Sequence, residues 1–101
     1  MKDILIDGQR LLTTNGIADA VIDYAWRLHL AARSDVVEFP MLHDGEISRC
    51  SLLLTPATAV AVVDADVLPP QLPGADAAQD EIARRARALS ENDTGHAHRS
   101  R

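Results

Sequence analysis

His43-Asp44-Gly45-Glu46 places an imidazole and two carboxylates on neighbouring residues, a grouping with the chemistry for proton transfer or metal ligation. Asp-Gly is also the pair that two-residue hairpin turns select for their backbone, so His43 and Glu46 read as a solvated cross-strand pair. An exposed turn provides no desolvation with which to tune a pKa. Asp64-Ala65-Asp66 puts two carboxylates at the end of an apolar run, where metal-dependent enzymes often hold ligands. No Gly-rich phosphate loop and no conspicuous base accompanies it, and solvated Asp residues also terminate strands. Asp64, Asp66, His43 and Asp44 therefore form a subsidiary candidate site, with no catalytic residue, metal or other cofactor assigned.

The remaining reactive side chains are isolated. His96-Ala97-His98 has metal-binding spacing but lies in an aperiodic tail. Cys50 has inward strand parity and reads as a small packing residue rather than a nucleophile, which needs an electropositive, accessible setting. His29 reads as a half-buried residue at the margin of a helical stripe.

A different kind of site stands out on the helix that follows. From Ile17 the apolar period becomes that of a helix, over about 15–33, with Ile17, Val21, Tyr24, Ala25, Leu28 and Ala32 on one face. Trp26 and Leu30 fall opposite that stripe, one turn apart, with Ile22 at the margin. Full burial of a tryptophan removes about 150–250 Å² from water, worth roughly 4–6 kcal/mol as an upper bound. A cover is therefore expected: a second subunit, the C-terminal helix folding back, or another protein.

The elements that position these residues follow from turn chemistry. Asp7-Gly8 predicts a hairpin pairing Ile6 with Gln9 and Ile4 with Leu11, its rival being a lone strand over 2–6 followed by an irregular crossover. Thr13-Thr14-Asn15 supplies capping oxygens for the helix, and Ser34-Asp35 ends it. Asp44-Gly45 predicts a second hairpin, with Val37, Phe39 and Met41 facing the core opposite Leu52, Cys50 and Ser48. Its other side carries Val36, Leu42, Ile47 and Leu53 among Glu38, Arg49 and Ser51, too apolar for a wet face, so the C-terminal helix or a partner sheet is expected over it. Pro40 lacks an amide donor and is expected at an edge or bulge. Residues 59–63 are apolar on both faces and predict a central or covered strand.

Three prolines between Leu68 and Pro73 mark a semi-rigid linker over 67–74. A second helix is expected over 75–90, its thin stripe formed by Ala78, Ile82, Ala86 and Leu89, and a disordered tail over 91–101. The core domain is 1–66. The fold class is α+β: a mostly antiparallel sheet of four or five strands in the order ββαβββ, one long helix on a face, and a C-terminal helix after the Pro-rich arm.

Composition narrows the function classes. The 101 residues form one domain, with a net charge of −5 and three aromatic residues. An acidic, aromatic-poor chain argues against nucleic-acid binding, which needs positive charge and stacking surfaces. No apolar run is long enough for a membrane span, and the charged start lacks a secretory signal. With its single cysteine, the chain is expected in the cytoplasm. These residues point away from an enzyme and toward a small non-catalytic protein–protein interaction module. The expected form is a homodimer joined through the helix surface at Trp26, Leu30 and Ile22, or through the outer sheet face at Val36, Leu42, Ile47 and Leu53. Two further readings stay open. One is an antitoxin- or immunity-like acidic neutraliser of a basic partner protein, using the arm and a detachable helix. The other is a small enzyme or ligand carrier near Asp64 and Asp66.

Overall fold

Two turns set the frame. The computed structural model describes residues 1–67 and 71–99, with the side chains of 1–67 and 71–91. In it Asp7 and Gly8 have φ of 49° and 76°, and Asp44 and Gly45 have 51° and 80°. Consecutive positive φ values define a type I′ turn, whose twist matches that of paired strands. β1 (Lys2–Ile6) and β2 (Gln9–Thr13) accordingly pair Ile6 with Gln9 and Ile4 with Leu11. The lone-strand alternative is excluded.

Thr14 opens α1 (Asn15–Ala31), its hydroxyl accepting from the Ile17 N–H at 3.1 Å. The helix buries Ile17, Ala18, Val21, Tyr24 and Leu28. It stops before residue 33 because Ala32 turns left-handed at φ 54°, donating to the His29 carbonyl while Arg33 donates to that of Leu28. β3 (Asp35–His43) and β4 (Glu46–Leu54) then pair Phe39 with Cys50 and Val37 with Leu52, as the second turn requires. β5 (Val60–Asp64) pairs with β1 through Ile4↔Val62 and Ile6↔Val60.

Among the described residues, the five strands form one antiparallel sheet in the order β4-β3-β2-β1-β5, and with two helices the fold is α+β. β5 is thus an edge strand, not the central or covered strand its composition predicts. Ala61 and Val63 on one of its faces are exposed. Apolar composition reports what a strand is compatible with, while strand order is set by long-range pairing.

Pro40 lies inside the sheet order, yet its missing donor is accommodated. The closing pair His43–Glu46 of a two-residue hairpin exchanges hydrogen bonds, so alternation turns the Pro40 backbone away from β4. The register described between β2 and β3 is the single pair Leu12↔Leu42, so the start of β3 pairs with β4 alone. The fully buried Thr13 fills the gap, its hydroxyl donating to the Pro40 carbonyl at 2.9 Å.

α2 (Ala75–Arg99) runs past the 75–90 expected, into the stretch read as a disordered tail. An established helix propagates cheaply, and no proline interrupts this one. Residues 68–70 of the Pro-rich linker, the final residues 100–101 and the side chains of His96 and His98 lie outside the described residues. Ile82, Ala86 and Leu89 of α2 join the core cluster with Ile17, Val21, Tyr24, Val37 and Phe39. Arg85 reaches the unpaired start of β3, donating to the Val36 carbonyl at 3.0 Å and to Asp35 at 3.1 Å. Asp35 also accepts from the Tyr24 hydroxyl at 2.6 Å, and Arg27 of α1 donates to the Ser90 hydroxyl. α2 therefore packs into the domain core. Among the described residues no helix is long and apolar enough to cross a membrane.

Two substitutions test this packing by chemical denaturation. Ile82 is 2% exposed, so Ile82→Ala is expected to cost about 2–5 kcal/mol, whereas an arm would lose almost nothing. Ala32 has a left-handed backbone that disfavours a Cβ, so Ala32→Gly is expected to stabilise the fold by about 1 kcal/mol; a loss would show that the turn is unstrained.

Candidate functional site

Both helices lie over the same face of the sheet, and they divide it. α2 packs beside α1 and against β3, while α1 also packs against β1 and β5. The flank of α1 turned toward β5 is left without a helix. It carries Ile22 (36% exposed) and, at its outer margin, Trp26 (58%), while Leu30 (64%) one turn on faces away from the sheet. The C-terminal helix does not fold back on Trp26: its apolar stripe is buried against the other flank of α1 and β3.

Trp26 is held rather than free. Its ring stacks on His29 with centroids 5.6 Å apart and planes 22° from parallel. His29 is exposed instead of half-buried, and its Nδ1 lies 2.8 Å from the Pro56 carbonyl, a hydrogen bond that orients the ring. That contact depends on the chain between β4 and β5, which is itself braced by Thr55 and Thr58 through hydroxyls 2.6 Å apart. Together Ile22, Ala25, Trp26, His29, Thr58 and Val60 line a cleft of about 330 Å³ at the β5 edge. Its walls are largely apolar. It offers shape and hydrophobic area, with the imidazole as a polar group at its rim.

A second apolar surface lies on the far side of the β3–β4 hairpin. Val36, Ile47 and Leu53 are exposed there and Leu42 is partly buried, with Glu38 and Arg49 3.4 Å apart across the strands. Among the described residues no helix covers this face; α2 reaches only its margin, through Arg85 at Val36.

The subsidiary carboxylate site is dispersed. His43 and Asp44 sit at the exposed tip of the second hairpin, 3.5 Å apart, while Asp64 and Asp66 are exposed at the end of β5. Among the described residues no group of three metal-ligating side chains occurs. Cys50 is half-buried on the core side of β4, and burial raises its thiol pKa, which disfavours the thiolate. It borders a groove of about 540 Å³ between the two hairpins, near Ile6, Leu11 and Leu52.

The strongly perturbed titrating groups serve the α1–β3–α2 junction. Burial, then the Asp35 hydrogen bond, pushes the Tyr24 hydroxyl up to about 12 from its ordinary 10.0. Burial opposes ionisation of Asp35, but the Tyr24 hydroxyl, the Val36 N–H and Arg85 outweigh it and hold the carboxyl below its ordinary 3.8. Hydrogen bonds from Arg84 and then Arg85 hold Glu81 down at about 2. These shifts locate a structural clasp, not an acid–base pair. Sequence reading missed it, because Asp35 and Arg85 are 50 residues apart and neither lies in a motif.

Comparison of the chain with protein-family models, curated proteins and solved structures found no match. Among the described residues the fold defines a small α+β domain with five antiparallel strands, two helices on one face, and uncovered apolar surface on α1 and the second hairpin. Any functional reading therefore rests on those surfaces.

The clasp has a pH signature that the single tyrosine reports alone. A raised folded-state pKa means that Tyr24 contributes stability below about pH 10, lost as the pH rises toward 12. Asp35, with a lowered pKa, contributes above 3.8 and loses its contribution as the pH falls below that. Ultraviolet titration of tyrosinate is expected to show a midpoint near 12, falling in the Asp35→Asn variant. A midpoint at the ordinary value in the folded protein would show that Tyr24 does not bond Asp35 in solution.

Proposed function

We propose that this protein is a non-catalytic interaction module that acts as a homodimer, associating through the α1 surface formed by Ile22, Trp26 and Leu30. The observation that carries the reading is the exposure of the chain's single tryptophan, 58% open to water on a rigid helix. Singly exposed apolar residues are ordinary, but a tryptophan with two aliphatic neighbours on one turn of helix is a patch that favours a protein partner. Tryptophan is also the residue type most enriched among those that dominate interface energetics.

The energetics suit a domain of this size. A chain of 101 residues buries a limited core, and association through remaining apolar surface adds to its stability. Val36, Leu42, Ile47 and Leu53 supply a second contact surface on the β3–β4 hairpin. The acidic remainder of the surface sets a charge cost on association, so the contact must stand away from the carboxylates. A cytoplasmic setting is part of the proposal and fits an unpaired, half-buried cysteine.

Sedimentation equilibrium of the full chain tests the reading. At micromolar concentration the mass is expected to correspond to two copies, and Trp26→Ala is expected to weaken association by about 2 kcal/mol or more, roughly thirty-fold. Because Trp26 is exposed, the far-ultraviolet circular dichroism spectrum should not change. A single-copy mass at every accessible concentration refutes the dimer. An unaltered association in Trp26→Ala moves the contact off α1.

A further inference from the structure

β5 joins two properties that rarely occur together: the composition of a covered strand and a place at an open sheet edge. Val60-Ala61-Val62-Val63 carries no charge, no proline and no bulge, the devices by which edge strands ordinarily resist pairing. The opposite edge, β4, has Arg49 at its middle. Among the described residues nothing pairs with the outer side of β5.

The backbone groups left open on β5 can be identified. The Asp7-Gly8 turn makes Ile6–Gln9 a hydrogen-bonded pair, so even-numbered residues of β1 bond β2 and odd-numbered ones bond β5. Asp3 and Leu5 therefore bond Val63 and Ala61. The Ala65 N–H donating to the Met1 carbonyl at 3.0 Å continues the same alternation. It follows that Val60, Val62 and Asp64 direct their N–H and C=O groups outward.

We infer that β5 pairs antiparallel with β5 of a second copy, with Val62 on the two-fold axis, so that one sheet runs through both subunits and the Trp26 cleft closes over the junction. This inference rests on the homodimer reading and names its geometry. The register with Val62 opposite its own counterpart pairs all five residues and uses all three outward-facing positions, giving about six hydrogen bonds. Val60 and Val62 share the helix-covered face with Ile4 and Ile6. The new strand pair therefore brings apolar side chains together beneath Ile22 and Trp26. Antiparallel pairing also sends Asp64 and Asp66 of the two copies to opposite ends of the junction, whereas parallel pairing stacks carboxylate on carboxylate.

A specific interface takes about 800 Å² from each copy at standard size and about 500 Å² at its low end. Trp26 alone leaves on the order of 100 Å² uncovered, and Ile22, Val63 and the strand edge add to it, which places this contact among the small interfaces.

Three proteins separate this geometry from the broader reading: the full chain, its Val62→Pro variant, and a Cys50→Ala, Val62→Cys double variant. Val62→Pro removes an outward donor and leaves the bonds of β1 to β5 in place. It is expected to keep a folded circular dichroism spectrum while association falls at least about tenfold, judged against the single interfacial proline's loss of a paired position. The double variant is expected to form an intermolecular disulfide on mild oxidation, because paired Cα atoms about 5.5 Å apart lie within disulfide range. If the full chain is a single copy, both the dimer reading and the edge assignment fall. If the full chain is a dimer, a folded Val62→Pro variant with unchanged association and no cross-link overturns the edge assignment and leaves the dimer standing. Should Val62→Pro fail to fold, the cross-link decides alone: its formation supports the two-fold pair and its absence overturns it.

Discussion

The narrow apolar stripe of α2 can be buried in one place, and that place determines which surfaces remain open. Ile82, Ala86 and Leu89 fill the angle between α1 and β3. Arg85 adds a polar contact on that flank: the start of β3 lacks a β2 partner, and its exposed Val36 carbonyl accepts from the guanidinium. With Asp35 joining the Tyr24 hydroxyl and the Arg85 guanidinium, the clasp ties three elements at a point where the sheet ladder gives out. Had α2 packed on the other flank, it would have covered Trp26 and left that carbonyl to water. The exposed tryptophan is thus a consequence of where the α2 stripe is buried.

The same logic explains the second uncovered surface. Both helices are on one face of the β3–β4 hairpin because Val37, Phe39 and Met41 are on that face, and each is buried. No further element remains among the described residues to cover Val36, Ile47 and Leu53. An antiparallel sheet tolerates one solvated face, but these positions are more apolar than that role requires.

The parts legible in the sequence were those specified by adjacent residues. Asp7-Gly8 and Asp44-Gly45 fix two turns because few other pairs accept consecutive positive φ, and each turn then dictates a register by counting. α1 was legible through its period and its Thr14 cap, and the wheel that defined its buried stripe also placed Trp26 and Leu30 outside it. The illegible parts depend on residues distant along the chain. An alternation of valine and alanine cannot distinguish a central strand from an edge, so β5 was misplaced. His29 was assigned by helical angle alone, without the Pro56 carbonyl that draws its ring outward. The extent of α2 was underestimated because a polar stretch with weak periodicity gives no sign of where a helix already under way will end.

Self-association of an acidic chain must also be reconciled with charge. Each copy carries a net −5, so two copies repel at long range. At physiological ionic strength that repulsion decays over about 8 Å, and its cost depends on where the carboxylates stand relative to the contact. Val60 to Val63 contribute none to the middle of β5, and neither do Ile22, Trp26 and Leu30 to their patch. Asp19 is engaged by Lys2 at 2.8 Å and Asp23 by Arg27 at 3.1 Å, which partly neutralises the acids nearest on α1. At β5 itself Asp64 stands across from Lys2, whose charge it favours, Asp66 follows it, and a two-fold antiparallel arrangement holds these carboxylates of the two copies apart. The hydrogen-bonding parity of β5 shows which of its groups are free to pair, and the charge pattern, read from different residues, selects the antiparallel orientation.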